Sequence, residues 1–225
     1  MKKLYSKYDK TKIKDLPRVL FKGRIVVILT EAEAKKAVSY LMKADVLGFD
    51  TETRPSFTRG HQNKVSLLQV STRDTCFLFR LNRFGLCPAI KKLLETKKVK
   101  KIGLSWDDDV RSLKALGDFK PQGFFELQQH MQELGVEDII RAKLYANLFG
   151  QRISKREQLS NWEADVLSTK QQGYAATDAW ACIMLYEEYM RLKETKDYFL
   201  EKIIDENQNE NENQNENEKV ITVKG

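Results

Sequence analysis

Val46-Leu-Gly-Phe-Asp-Thr-Glu52 is an apolar run that ends in two carboxylates, Asp50 and Glu52, with one residue between them. Side chains alternate along a β-strand, so residues two apart project to one face. The stretch reads as a buried strand that delivers two negative charges side by side at its C-terminal end. Two like charges about 4 Å apart repel by roughly 4 kcal/mol at an effective dielectric near 20. A folded chain needs a counter-charge there, and a divalent cation supplies one. The plain alternative is a solvated Asp-x-Glu in a turn, and the pair alone favours that alternative.

Around this strand, helical and extended patterns alternate. Arg24–Leu29 is a strand. Thr30-Glu-Ala-Glu33 is a capping box that opens an Ala-rich helix to about Lys43. Arg54–Lys64 is a polar, basic loop, and Val65–Val70 and Thr75–Phe79 are strands of a meander joined through Ser71–Asp74. Pro88 to about Thr96 is a helix with Pro in its first turn. Val99–Leu104 is a short strand, and Ser105 is placed to cap a helix over Trp106–Leu116. Phe124–Leu134 stays open between helix and strand, and Ile139–Leu148 is amphipathic. Ser168-Thr-Lys-Gln171 is a second capping box, opening a long helix through Tyr174 to about Leu192. The order predicts an α/β fold, a mixed sheet of five to six strands flanked by helices, with a helical C-terminal half.

Composition narrows the classes. The chain has 225 residues, 41% of them apolar, enough for one substantial core. No apolar run approaches the roughly 20 residues that span a bilayer, and Met1–Lys10 is too polar for a signal peptide. Cys76, Cys87 and Cys182 are scattered without a C-x-x-C pair, which points away from disulfides and zinc toward a reducing, intracellular, cytoplasmic setting. Net charge is +7, but residues 206–218 hold five Glu and no basic residue, so the remainder carries +12. Residues 1–24 hold nine Lys/Arg against Asp9 and Asp15. A basic body suits a polyanion, nucleic acid first; a generally lysine-rich composition is the bland alternative.

Two further carboxylates stand where they can join Asp50 and Glu52. Asp107, Asp108 and Asp109 straddle a helix start, where acidic residues also serve the helix dipole. Asp109 shares a face with the apolar Leu113, four residues on, which favours it as the inward-facing acid; the pattern does not exclude Asp108. In Tyr174-Ala-Ala-Thr-Asp178, Tyr174 and Asp178 share a helix face with small residues between them. Such a face packs closely, so Asp178 calls for a metal, an ion pair, or a hydrogen bond to Tyr174.

Phe49-Asp-Thr-Glu52, Ile102-Gly103 through Asp109 to Leu113, and Tyr174-Ala-Ala-Thr-Asp178-Ala together resemble the three motifs of the DEDD exonuclease superfamily. The Tyr-x-x-x-Asp spacing is that of the tyrosine subtype, ribonuclease D-like and Werner-helicase exonuclease-like; His61 and His130 are not placed for the histidine subtype. Leu159-Ser-Asn-Trp162 fits the same group, and aligning Gly103 and Leu113 with it favours Asp109. The resemblance covers roughly residues 20–195. It implies a ribonuclease H-like fold and a 3′-5′ exonuclease that hydrolyses phosphodiester bonds and releases nucleoside monophosphates.

It also implies two divalent cations, Mg²⁺ or Mn²⁺, on an all-oxygen set of Asp50, Glu52, Asp109 and Asp178, with Asp50 bridging. Tyr174 would orient the attacking water; a phenol of pKa about 10 is a poor base at neutral pH. Thr51, Arg54, Phe57, Arg59, Lys64, Lys155 and Arg156 are candidate substrate contacts, Phe57 by stacking on a base. Partners are DNA or RNA with a free 3′ end, DNA slightly ahead, and no membrane. The expected layout is a basic arm over 1–22, an exonuclease domain over 23–200, and a low-complexity, disordered tail over 205–225. The alternative function is an inactive nucleic-acid-binding scaffold on the same fold.

Overall fold

In a computed structural model that describes residues 1–58, 60 and 62–203, the basic arm is structured. Lys2–Tyr5 forms a strand (β1), and Lys10–Asp15 forms a 3-10 turn whose cap, Asp9, accepts from the Thr11 amide at 2.8 Å. The Asn147 side chain bonds both backbone groups of Tyr5, at 3.0 and 2.7 Å, and Arg152 exchanges backbone bonds with Pro17 and Val19. The arm is thereby fastened to the body. The tail expected over 205–225 lies outside the described residues.

Arg24–Ile28 (β2) leads to Thr30, whose hydroxyl and the Glu33 carboxylate form the expected capping box of Glu31–Leu41 (α1). Val46–Thr53 (β3), Val65–Ser71 (β4) and Thr75–Phe79 (β5) follow, then the short Leu81–Phe84 (α2) and Pro88–Glu95 (α3). Lys100–Gly103 (β6) precedes Trp106–Lys114 (α4). The open segment is both things in turn: Phe124–Glu126 is a strand (β7) running straight into the helix Leu127–Gln132 (α5). Arg141–Phe149 (α6), the long Thr169–Thr195 (α7), capped by Ser168, and Tyr198–Glu201 (β8) complete the chain.

The sheet has six strands in the order β2-β5-β4-β3-β6-β7, antiparallel across β5-β4-β3 and parallel elsewhere. This is the expected mixed α/β sheet. Every residue of β4 and β5 is buried, because both faces are covered. Leu68, Val70, Phe77 and Phe79 pack with α1 and α3, while Leu67, Cys76 and Leu78 pack with Tyr174, Ala175, Ala176 and Ala179 of α7. Neighbouring residues thus face opposite layers, as the two-residue strand period requires. Separately, β1 pairs in parallel with β8, a two-stranded sheet that closes the N-terminus onto the end of α7.

The contact that positions the site is β3 against α7. A Cβ added at Gly48 would meet the Ala179 carbonyl oxygen at 1.8 Å. Only a residue without a side chain lets the helix lie this close to the strand.

Candidate active site

Asp50 and Glu52 project from one face of β3 and are buried, at 7% and 8% exposure, and Asp178 of α7 is 4% exposed. Carboxylate oxygens of these three lie within 4.8 Å of one another. Tyr174 stands one helical turn before Asp178, is buried, and tilts against Trp162 with ring centroids 6.0 Å apart. Asp109 approaches from α4, where the Thr51 hydroxyl donates to its Oδ1 at 2.5 Å. The triple acid is thereby sorted. Asp107 and Asp108 are exposed, and Asp108 pairs with Arg111 at 3.1 Å on the helix surface, while Asp109 faces inward.

The expected Ser105 cap is corrected. Ser105 adopts a left-handed backbone (φ +62°) and makes no side-chain cap bond. Glu126, at the end of β7, replaces it: its carboxylate accepts from the backbone amides of Ser105 (3.1 Å), Trp106 (3.0 Å) and Gln128 (2.9 Å). A carboxylate there also meets the positive end of the α4 dipole. It fixes the turn that carries Asp109.

The electrostatics follow from crowding. Burial, with Asp50 and Asp178 adding to it, pushes the Glu52 carboxyl up to about 10. Burial and Asp50 push Asp109 up to about 8, against the Thr51 hydrogen bond, which favours its charged form. Burial raises Asp178 to about 6, against the pull of Arg141. The Tyr174 phenol is pushed above its usual range by burial and by Asp178 and Glu52, so it is a neutral hydroxyl at any ordinary pH. These groups share too little positive charge to ionise together freely.

The cation that is present is Arg141, the first residue of α6, which the sequence reading did not single out. Its Nη1 lies 2.7 Å from Asp50 Oδ2 and 2.9 Å from Asp178 Oδ2. Burial opposes its charge, but the two carboxylates outweigh that and hold its pKa well above the ordinary value. A signal was available. Arg141 shares a helix face with Leu144, Tyr145 and Leu148, which are all buried, and an arginine on an apolar stripe needs a partner. Gln69 was also missed. It stands opposite Asp50 in the β3–β4 register, fully buried, and neither amide atom has a hydrogen-bond partner.

The donor set is carboxylate oxygen only, and the buried Oδ1 of Asp178 has no hydrogen-bond partner. Such a set fits a hard divalent cation. Asp50, Glu52 and Asp178 form the close group, with Asp109 joined to it through Thr51.

The expected substrate contacts divide. Arg54 pairs with Glu163 at 3.1 Å and lines, with Glu52, Pro55, Asn63, Gln158 and Leu159, a cleft of about 380 Å³ that reaches Glu52 of the acidic group. Phe57 is 89% exposed on the same loop, Lys64 is exposed just before β4, and Arg59 lies outside the described residues. Thr51 is committed to Asp109. Lys155 and Arg156 line a different groove, of about 420 Å³, with Lys10, Lys14, Ile140 and Arg152. No helix among the described residues is long and apolar enough to cross a membrane.

A sequence profile described as 3′-5′ exonuclease matches residues 25–193. The bifunctional 3′-5′ exonuclease/ATP-dependent helicase WRN of Mus musculus is 29% identical over 203 residues, 86% of this chain and 14% of that protein. The chain therefore spans about a seventh of that relative's length. Among solved structures, the exonuclease domain of Aedes aegypti Nibbler superposes with a TM-score of 0.68 at 21% identity, covering 76% of this chain and 89% of that one. RNase D of Trypanosoma brucei, solved in complex with RNA U12, gives a TM-score of 0.65 at 21% identity, over 75% and 63% of the two chains. The six-stranded mixed sheet flanked by helices is the ribonuclease H-like exonuclease fold of these neighbours.

Proposed function

The chain belongs to the 3′-5′ exonuclease family, and from that premise we propose that it is itself a divalent-cation-dependent exonuclease. It hydrolyses phosphodiester bonds at the 3′ end of a nucleic-acid strand and releases nucleoside monophosphates. The observation that carries this reading is the oxygen-only group of Asp50, Glu52 and Asp178 within 4.8 Å, with Asp178 Oδ1 buried and unpartnered. Asp50, Glu52, Asp109 and Asp178 would hold two Mg²⁺ or Mn²⁺ ions. Bound there, such ions stabilise negative charge on the attacking and leaving oxygens of an in-line displacement.

The chain's own groups do the rest. Tyr174 presents a neutral hydroxyl beside Asp178 and Glu52, so it positions the attacking water by hydrogen bonding and does not take its proton. Thr51 holds Asp109 in register with β3. The cleft between Arg54 and Leu159 opens at Glu52 and receives the terminal nucleotide, and Phe57 offers an exposed ring for stacking. Lys155 and Arg156, with Lys10 and Lys14 of the arm, meet backbone phosphates further along the strand. DNA is placed ahead of RNA, and the RNA-bound RNase D makes RNA the necessary comparison arm.

One observation favours the alternative of an inactive nucleic-acid-binding scaffold. Arg141 already pairs with two of the acids and offsets one unit of their charge.

The test is digestion of 5′-labelled DNA and RNA oligonucleotides with Mg²⁺, Mn²⁺ or EDTA. A metal-dependent ladder shortening from the 3′ end, lost in Asp178→Asn, is expected. A folded sample that binds the strands and never shortens them establishes the scaffold instead.

A further inference from the structure

We infer that Arg141 is a resident counter-cation that shares the Asp50–Asp178 edge with the divalent ion by exclusion, so that metal loading requires its guanidinium to leave. This rests on the metal-site reading above.

The geometry carries the point. One guanidinium nitrogen, Nη1, touches both Asp50 Oδ2 and Asp178 Oδ2, two carboxylates of the close acidic group. A guanidinium does not lose its proton in a protein, so it cannot give way by titration and has to move. It is also held less completely than an arginine built in for structure. Arg80, 1% exposed, donates through Nε, Nη1 and Nη2 to Asn82, Asp165 and Ala164. The Nε of Arg141 is buried without any partner, and Asp178 beside it keeps an unpartnered Oδ1. Both orphaned atoms belong to residues of this acidic cluster and its counter-ion.

The chain around Arg141 borders solvent. It opens α6 directly after an extended residue, Ile140, and Ile139 and Ile140 are 52% and 45% exposed. An arginine at a helix start, next to exposed chain, can turn its side chain outward without unpacking Leu144, Tyr145 and Leu148. Where a competing state occupies the site, apparent affinity falls by the fraction of molecules that are competent. Arg141 therefore raises the cation concentration at which the site fills, and it protects the acids from one another while they are empty of metal.

Mn²⁺ titration of the full chain, read as free Mn²⁺ by electron paramagnetic resonance, tests this on the wild type, Arg141→Met, Arg141→Lys and Asp178→Asn. Arg141→Met is expected to bind Mn²⁺ at least tenfold more tightly than the wild type, with Arg141→Lys between them and Asp178→Asn weakest. In EDTA, Arg141→Met should melt at a lower temperature than the wild type and recover more on adding Mn²⁺. Equal Mn²⁺ affinity in the wild type and Arg141→Met, or weaker binding by the variant, overturns the inference and leaves the metal site standing. Failure of every form to bind Mn²⁺ overturns the metal-site reading and this inference with it. Should Arg141→Met not fold, the guanidinium ¹⁵N resonances of Arg141 in the wild type decide. They should shift on Mg²⁺ addition, and resonances that stay unmoved while the Asp178 region shifts overturn the inference.

Discussion

The Thr51 hydroxyl donates to Asp109 Oδ1 across 2.5 Å, and this bond fastens the first turn of α4 to the middle of the acidic strand. Thr51 stands between Asp50 and Glu52, so the residue separating the two acids also recruits a third. Thr51→Val keeps the shape and removes the donor. Asp109 then loses the interaction that favours its charged form and stays protonated to higher pH. Turnover at neutral pH should fall by about tenfold, recovering in part as pH rises, with a stability loss of only about 1 kcal/mol. An unchanged rate–pH profile in Thr51→Val would remove Asp109 from the site.

Gly48 is where α7 touches β3. The Ala179 carbonyl lies 1.8 Å from the position a Cβ would take, and a backbone atom cannot rotate aside. Gly48→Ala should cost about 3 kcal/mol by overpacking and should move Asp178 away from Asp50. Chemical denaturation and Mn²⁺ affinity should both register it. A variant with wild-type stability would show that the helix and strand are not in this contact.

Glu126 is the cap of α4, and its loss should act at a distance. Glu126→Ala leaves the amides of Ser105 and Trp106 without their acceptor and should cost about 1–2 kcal/mol. It should also lower exonuclease turnover, because the turn that carries Asp109 loosens. Ser105→Gly should be tolerated, since Ser105 already adopts a left-handed backbone and its side chain does not cap the helix. If Ser105→Gly is the more damaging of the two, the assignment of the cap is wrong.

Metal-free stability should fall as pH rises. Glu52, Asp109 and Asp178 hold their protons to about 10, 8 and 6 in the fold, whereas the unfolded chain releases them near pH 4. Between those values the folded state binds more protons than the unfolded one, and stability declines with pH at up to about 1.4 kcal/mol per pH unit per proton. Below pH 4 both states are protonated and the effect vanishes. Thermal melts in EDTA from pH 5 to 8 should show the decline, Glu52→Gln should flatten it, and Mg²⁺ should abolish most of it. A Glu52→Gln slope equal to the wild-type slope would refute this account.

Lys155 and Arg156 are predicted to touch phosphate, not bases. Each alanine substitution should weaken strand binding by a similar factor for all sequences and lower the salt slope by about 1. Sequence-dependent losses would point to base contacts instead.

Local periodicity made much of the site legible in the sequence. The two-residue period of β3 put Asp50 and Glu52 on one face, and the four-residue step on α7 did the same for Tyr174 and Asp178. The capping boxes at Thr30 and Ser168 marked where α1 and α7 begin, because their bonds close within three residues. What remained lay in contacts between residues far apart in the chain. Asp109 is separated from Asp108 by Thr51, which is 58 residues away. The cap of α4 comes from Glu126, and β1 finds its sheet partner in β8, at the other end of the described chain. Arg141 meets Asp50 across 91 residues of sequence. A charge can be read from the sequence, but which opposite charge it faces is settled only when strand, helix and loop pack in three dimensions, because burial makes that pairing obligatory and no local pattern encodes it.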